Sequence, residues 1–151
     1  MKTIDLNCDL GEGMNTDEQI IPLISSANIA CGFHAGDEST MKRTIELCLH
    51  HGVAVGAHPS WPDRENFGRT EMNLPEQQLY DCIAGQLHLI QSIASTFHTK
   101  LHHVKPHGAL YNQSAKNKKV ALSMTAQPVQ RLQLNGVTRS VVPSVRFTID
   151  L

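Results

Sequence analysis

Several kinds of protein are excluded by what this chain has little of. No apolar run approaches the roughly 18 residues that a membrane-spanning helix needs, so a bilayer is not an expected partner. Charge is sparse and balanced: charged residues make up 18% and the formal net charge is −1. No basic cluster stands out, which argues against nucleic acid and anionic lipid as ligands. The start, Met1 to Asp5, lacks the apolar core of a secretion signal, and a cytoplasmic location is expected. The four cysteines never form a CxxC pair, so they are expected to be reduced, small, buried residues rather than a disulfide frame or a zinc knuckle. There is no GxxxxGK[ST] phosphate loop, no repeat and no low-complexity tract.

What the chain does have is histidine, nine among 151 residues, with a 40% hydrophobic content that suits a globular domain with a core. Placement decides whether the histidines matter. Residues 3–10 alternate, with Ile4, Leu6, Cys8 and Leu10 on one face and Asp5, Asn7 and Asp9 on the other, the period of a strand. Three more extended segments are expected at Ser26 to His34, Val53 to His58 and Leu101 to His107. Between them lie helical patterns at Asp17 to Ile24, Glu38 to His51 (Met41, Ile45, Cys48 and Leu49, stopped by Gly52) and Pro75 to Phe97 (Leu79, Ile83, Leu87, Ile90 and Ala94). Strand and helix therefore alternate, the signature of a parallel α/β fold. Each strand has one apolar face and one small or polar face. That asymmetry favours a barrel over an open sheet covered on both sides.

Four polar clusters sit at the ends of the four strands. They are Asp5-x-Asn7-x-Asp9-x-Gly11-Glu12, Asn28 through His34 to Asp37, Gly56-Ala-His58-Pro59, and Lys105-Pro-His107-Gly108. A barrel converges the C-terminal ends of its strands on one pocket. Singly, each of His34, His58 and His107 reads as a hydrogen-bonded structural residue; as a set at strand ends they read as a site. Their imidazoles suit a general base or a metal ligand near neutral pH, with Asp9 and Glu12 orienting water or joining a metal. Lys105 suits a carboxylate or a developing oxyanion. Asp37 is equally a helix cap or a ligand. Arg69, in the turn-rich loop 59–69, is equally a solvated arginine or a carboxylate clamp. Cys31 shares a face with Ile29 and is expected in the core, and His50, His51, His88, His98 and His102 are expected at the surface or in packing.

The same clusters carry a resemblance. IDLNCDLGEG (Ile4 to Gly13), ANIACGFHAGD (Ala27 to Asp37), VGAHPSWPD (Val55 to Asp63) with FGR (Phe67 to Arg69), and VKPHGALYN (Val104 to Asn112) resemble the successive signature blocks of the N-terminal part of the LamB/YcsF family. The resemblance covers residues 3–119 and implies a TIM-like (β/α) barrel related to glycoside hydrolase and deacetylase barrels. Members serve as the A subunit of an ATP-dependent 5-oxoprolinase. With two further subunits, B and C, they open the lactam of 5-oxo-L-proline to L-glutamate, with ATP as co-substrate. Carried over, Asp9, His34, His58, Lys105 and His107 become catalytic candidates, and Asn7, Glu12, Asn28, Asp37 and Arg69 substrate-binding ones. The need for a metal is left open, and a metal-dependent amide or acetyl hydrolase using His34, His58 and a carboxylate is the alternative, beside a non-catalytic remnant. A whole barrel takes about 250 residues. The expectation is thus an incomplete barrel over residues 1–119, an unrelated tail over 120–151 with one possible strand at Ser140 to Ile149, and a chain that as it stands is inactive and poorly stable.

Overall fold

The structure, a computed structural model, describes residues 4–125. Its elements are β1 (Asn7–Leu10), α1 (Asp17–Ile20) running into a 3-10 turn (Ile21–Leu23), β2 (Ser26–Ala30), α2 (Glu38–His50), β3 (Ala54–His58), α3 (Glu76–Thr96), β4 (His103–Val104), α4 (Gly108–Lys116) and α5 (Lys118–Thr125). The strands form one parallel sheet in the order β1-β2-β3-β4. Each strand lies beside its predecessor, the progression of a barrel wall; a doubly wound sheet reverses direction at a switch point. The expected α/β class is what is found, as an arc of four strands that does not close among the described residues.

Local chemistry accounts for the helices. Asp37 Oδ1 accepts from Thr40 N at 2.8 Å and so caps the start of α2. Met41, Ile45 and Cys48 are buried one turn apart on one side of that helix, and Gly52, at φ +70°, ends it just past His51. On α3, Leu79, Ile83, Leu87 and Ile90 are each 0–1% exposed, and each is worth roughly 1.5–3 kcal/mol relative to exposure. This stripe contains one polar member: Gln86, also 1% exposed, accepts from Ser60 N and donates to Ser60 O, both at 2.9 Å, fastening α3 to the loop after β3.

The sheet presents Ala27, Ile29, Val55 and Ala57 to the core shared with α2 and α3. Its other face carries Asn7, Asp9, Ser26, Asn28 and His58. Three expectations are corrected. First, alternation in residues 3–10 overstates β1: pairing begins at Asn7, and Ile4 (86%) and Leu6 (55%) are exposed. Second, β2 ends at Ala30, because Gly32 at φ +90° turns the chain; Phe33 is thereby put at the surface and His34 inside. Third, helical periodicity does not stop near Lys119. Helix α5 crosses that point and seats Val120 and Met124, four residues apart, in the core. The strand expected at Ser140 to Ile149, and the rest of the tail beyond residue 125, lie outside the described residues.

Candidate active site

Register first aligns one polar row. Asp9 pairs with Asn28, Asn28 with Gly56, and Gly56 with His103, so four successive strands contribute one residue each at the same level. Gly56 has to be glycine: a Cβ there would lie inside the His103 imidazole, which rests directly over the β3 backbone. Across that gap His103 Nε2 donates to Asn28 Oδ1 at 2.6 Å, and Asn28 Nδ2 donates to Asp9 Oδ1 at 2.6 Å. Asn7 extends the row by donating to Ser26 Oγ at 2.7 Å. Lys105 Nζ then bonds both Asp9 oxygens at 2.8 Å. Burial pushes the Asp9 carboxyl up, but hydrogen bonding and charge from His58 and Lys105 outweigh it and hold the group well below the usual carboxylate range.

One level further toward the C-terminal rim, three imidazoles and a carboxylate meet. Glu12 comes from the turn after β1, His34 from the turn after β2, His58 from the last position of β3, and His107 from the residue before α4. Glu12 Oε1 lies 3.0 Å from His34 Nε2, 3.6 Å from His107 Nδ1 and 3.8 Å from His58 Nε2. His34 and His58 are each 1% exposed and His107 8%. The His34 and His107 rings stack at 3.9 Å between centroids, and Phe67 stands edge-on to both. Burial, reinforced by the neighbouring imidazoles, pushes His107 down, and burial also lowers His34 against the pull of Glu12. His34 Nδ1 is buried without a hydrogen-bond partner among the described residues.

Two of the ring tautomers are determined by main-chain acceptors. His58 Nδ1 lies 2.7 Å from Lys105 O, and His107 Nε2 lies 2.8 Å from Phe67 O. A carbonyl oxygen only accepts, so both nitrogens carry the proton. The Phe67 carbonyl is held in place by a tight junction of two loops. Gly108 sits at φ +52°, Ala109 N donates to Gly68 O at 3.0 Å, and a Cβ on Gly108 would approach that oxygen to 2.6 Å.

Of the residues expected at the site, Asn7, Asp9, Asn28 and Lys105 share the polar row, and Glu12, His34, His58 and His107 share the cluster above it. Asp37 and Arg69 are not drawn in. The Asp37 carboxylate is exposed and committed to the cap of α2, and the exposed Arg69 guanidinium lies 5.5 Å from the Phe67 ring centroid. Cys31 is a core thiol, 1% exposed, pushed by burial up to about 12, and His50, His51, His88, His98 and His102 are all exposed. Two contributors escaped the sequence reading. His103 carried a signal, since it alternates with Lys105 and His107. Phe67 supplies a carbonyl and a ring edge, and neither shows in a side-chain pattern.

The sequence and the fold have counterparts in known proteins. Residues 4–144 match the model of the LamB/YcsF family, a span that continues past Lys119. The chain is 50% identical over 126 residues to the A subunit of 5-oxoprolinase from Bacillus cereus (strain AH187), a match that covers 80% of this chain and 50% of the relative. It is 52% identical, with the same coverage, to the protein of that name from Tolumonas auensis. The chain spans about half the length of these curated relatives. In three dimensions it matches the crystal structure of the lactam utilization protein from Thermus thermophilus with a TM-score of 0.83 and 39% identity, over 87% of this chain and 55% of that one.

Proposed function

This chain belongs to the LamB/YcsF family, and on that premise we propose that it carries the lactam-opening centre of an ATP-dependent 5-oxoprolinase, in the role of the A subunit of that enzyme. The observation that carries the reading is the meeting of Glu12, His34, His58 and His107 above the Asp9–Lys105 pair at the C-terminal ends of parallel strands, where barrels of this kind do chemistry. A five-membered lactam is a poor electrophile, and its hydrolysis needs coupling to ATP. Phosphorylating the lactam oxygen creates a leaving group that water can displace. The histidine cluster is then the place for water activation and proton transfer, since burial holds the His34 and His107 rings in the neutral form, with a lone pair free to take a proton in the transition state. Lys105, held against Asp9, is the cation for the substrate carboxylate or for charge developing on oxygen. Asn7 and Asn28 position substrate polar groups from the row below. Arg69 and Asp37, at the surface, belong to the same reading only through loop rearrangement around ligand.

Activity on this reading requires two partner subunits. No phosphate-binding loop stands in the sequence, so ATP handling is assigned to the assembly as a whole. The test is ATP-dependent release of glutamate from 5-oxoproline by the Bacillus cereus relative with its partners. Replacing the residue equivalent to His107 by Ala is expected to abolish turnover with the fold retained. Activity within a few-fold of normal would refute the assignment. Glutamate release that proceeds without ATP would instead select the metal-dependent amide hydrolase.

A further inference from the structure

Two lone pairs point at each other inside this cluster. Because His58 Nδ1 and His107 Nε2 both spend their protons on main-chain carbonyls, His58 Nε2 and His107 Nδ1 are acceptors whenever the two rings are neutral, and they lie 3.0 Å apart, with Asp9 Oδ2 3.4 Å from His58 Nε2. Glu12 Oε1, a third acceptor, closes the triangle at 3.6 and 3.8 Å. Acceptors facing one another at such distances repel unless something positive, a proton on His58 Nε2 or a metal ion, lies among them. Lys105 does not serve, because its ammonium is engaged by both oxygens of Asp9.

We propose that His58 Nε2, His107 Nδ1 and Glu12 Oε1 bind one divalent first-row transition metal ion. Zinc–nitrogen and zinc–oxygen bonds of about 2.0–2.2 Å place neighbouring tetrahedral donors about 3.3–3.6 Å apart. The separations of 3.0, 3.6 and 3.8 Å bracket that range, so an ion fits with movements of a few tenths of an ångström. The surroundings are those of a metal site. Each imidazole ligand donates its other N–H to a carbonyl, which sets the tautomer and aims the ring. His34, 3.0 Å from Glu12, is the outer hydrogen-bond donor that holds the carboxylate on the ion, and its ring is braced by stacking on His107. Two imidazoles and a carboxylate suit zinc or iron(II) better than magnesium or calcium. Such an ion, when bound, supplies a Lewis acid and lowers the pKa of water. The inference uses the same cluster as the lactam reading but does not depend on the substrate being a lactam.

The test is titration of the chelator-treated, purified chain with Zn(II), read by calorimetry and by metal content after dialysis, with Co(II) absorption as a spectroscopic check. One ion per chain is expected, with affinity at least about tenfold weaker in His107→Gln and in Glu12→Gln, and unchanged in His88→Ala, whose ring is exposed. Trp61 fluorescence reports folding of every variant, and Glu12→Gln, which keeps the size and shape of the side chain, keeps the test decisive if His107→Gln unfolds. Absence of stoichiometric Zn(II), equal binding by the variants, or ring-nitrogen NMR showing a proton shared between His58 and His107 in the presence of Zn(II) would each overturn the proposal. Zn(II) binding in a relative that does not open 5-oxoproline sinks the lactam reading alone. Full turnover in a metal-free relative sinks the metal site alone.

Discussion

Adding a single methyl group at Gly56 is expected to test the geometry of the polar row. The His103 ring occupies the space that a Cβ at Gly56 would take, so Gly56→Ala forces the ring off the sheet or the strand away from it. Overpacking of this kind costs about 1–3 kcal/mol. Displacing the ring also breaks its 2.6 Å bond to Asn28, a fully buried residue whose Oδ1 then keeps only Asn7 Nδ2 at 3.3 Å. Partial loss of satisfaction there adds about 1–2 kcal/mol. Replacing glycine by alanine returns about 0.4–1 kcal/mol through the unfolded chain. The net expectation is a destabilisation of about 1–4 kcal/mol. His103→Ala loses the same hydrogen bond but removes the obstacle. The double variant should therefore be close in stability to His103→Ala alone, a coupling as large as the Gly56→Ala cost itself, about 1–4 kcal/mol. Urea unfolding followed by Trp61 fluorescence and far-ultraviolet circular dichroism measures every protein of the cycle. If the two changes add to within about 0.5 kcal/mol, the ring does not lie over Gly56 as described.

Gln86→Leu keeps the volume of the side chain but strands the buried N–H and C=O of Ser60, at a cost of about 2–5 kcal/mol in chemical denaturation; a loss below about 1 kcal/mol contradicts the fastening role. The Asp37 carboxyl is held down to about 2 by hydrogen bonds from Thr40 and Ser39, against an ordinary value of 3.8. A depressed carboxylate stabilises above its unfolded pKa and loses that contribution as pH falls through the folded one. The stability gap between wild type and Asp37→Ala should hence narrow as pH drops from about 4 to about 2. A gap that stays constant over that window contradicts the cap.

Spacing along the chain was enough to locate the polar clusters, and the reason is local. A period of two separates Asn7 and Asp9 from Cys8 and Leu10 whatever surrounds them, and a strand that ends in glycine or proline must deliver its last side chains to a rim. The same holds for α2 and α3, whose apolar stripes, cap and stop are all written within a few residues of one another. Where spacing misleads, the cause is local too: alternation runs on past Ala30, where pairing ends, and α4 and α5 are too short and too polar to announce themselves by periodicity.

Amino-acid order by itself determined which residues gather at the strand ends, because side-chain direction along a strand is a property of the backbone. Only the tertiary structure decided what those residues do to one another. His103 reaches Asn28 across 75 positions and His107 meets His58 across 49, contacts that depend on strand register rather than on spacing. The protons on His58 and His107 are assigned by the carbonyls of Lys105 and Phe67, main-chain groups with no sequence signature. Three acceptors left facing one another arise only when separate loops are brought onto one rim, and that is a matter of packing.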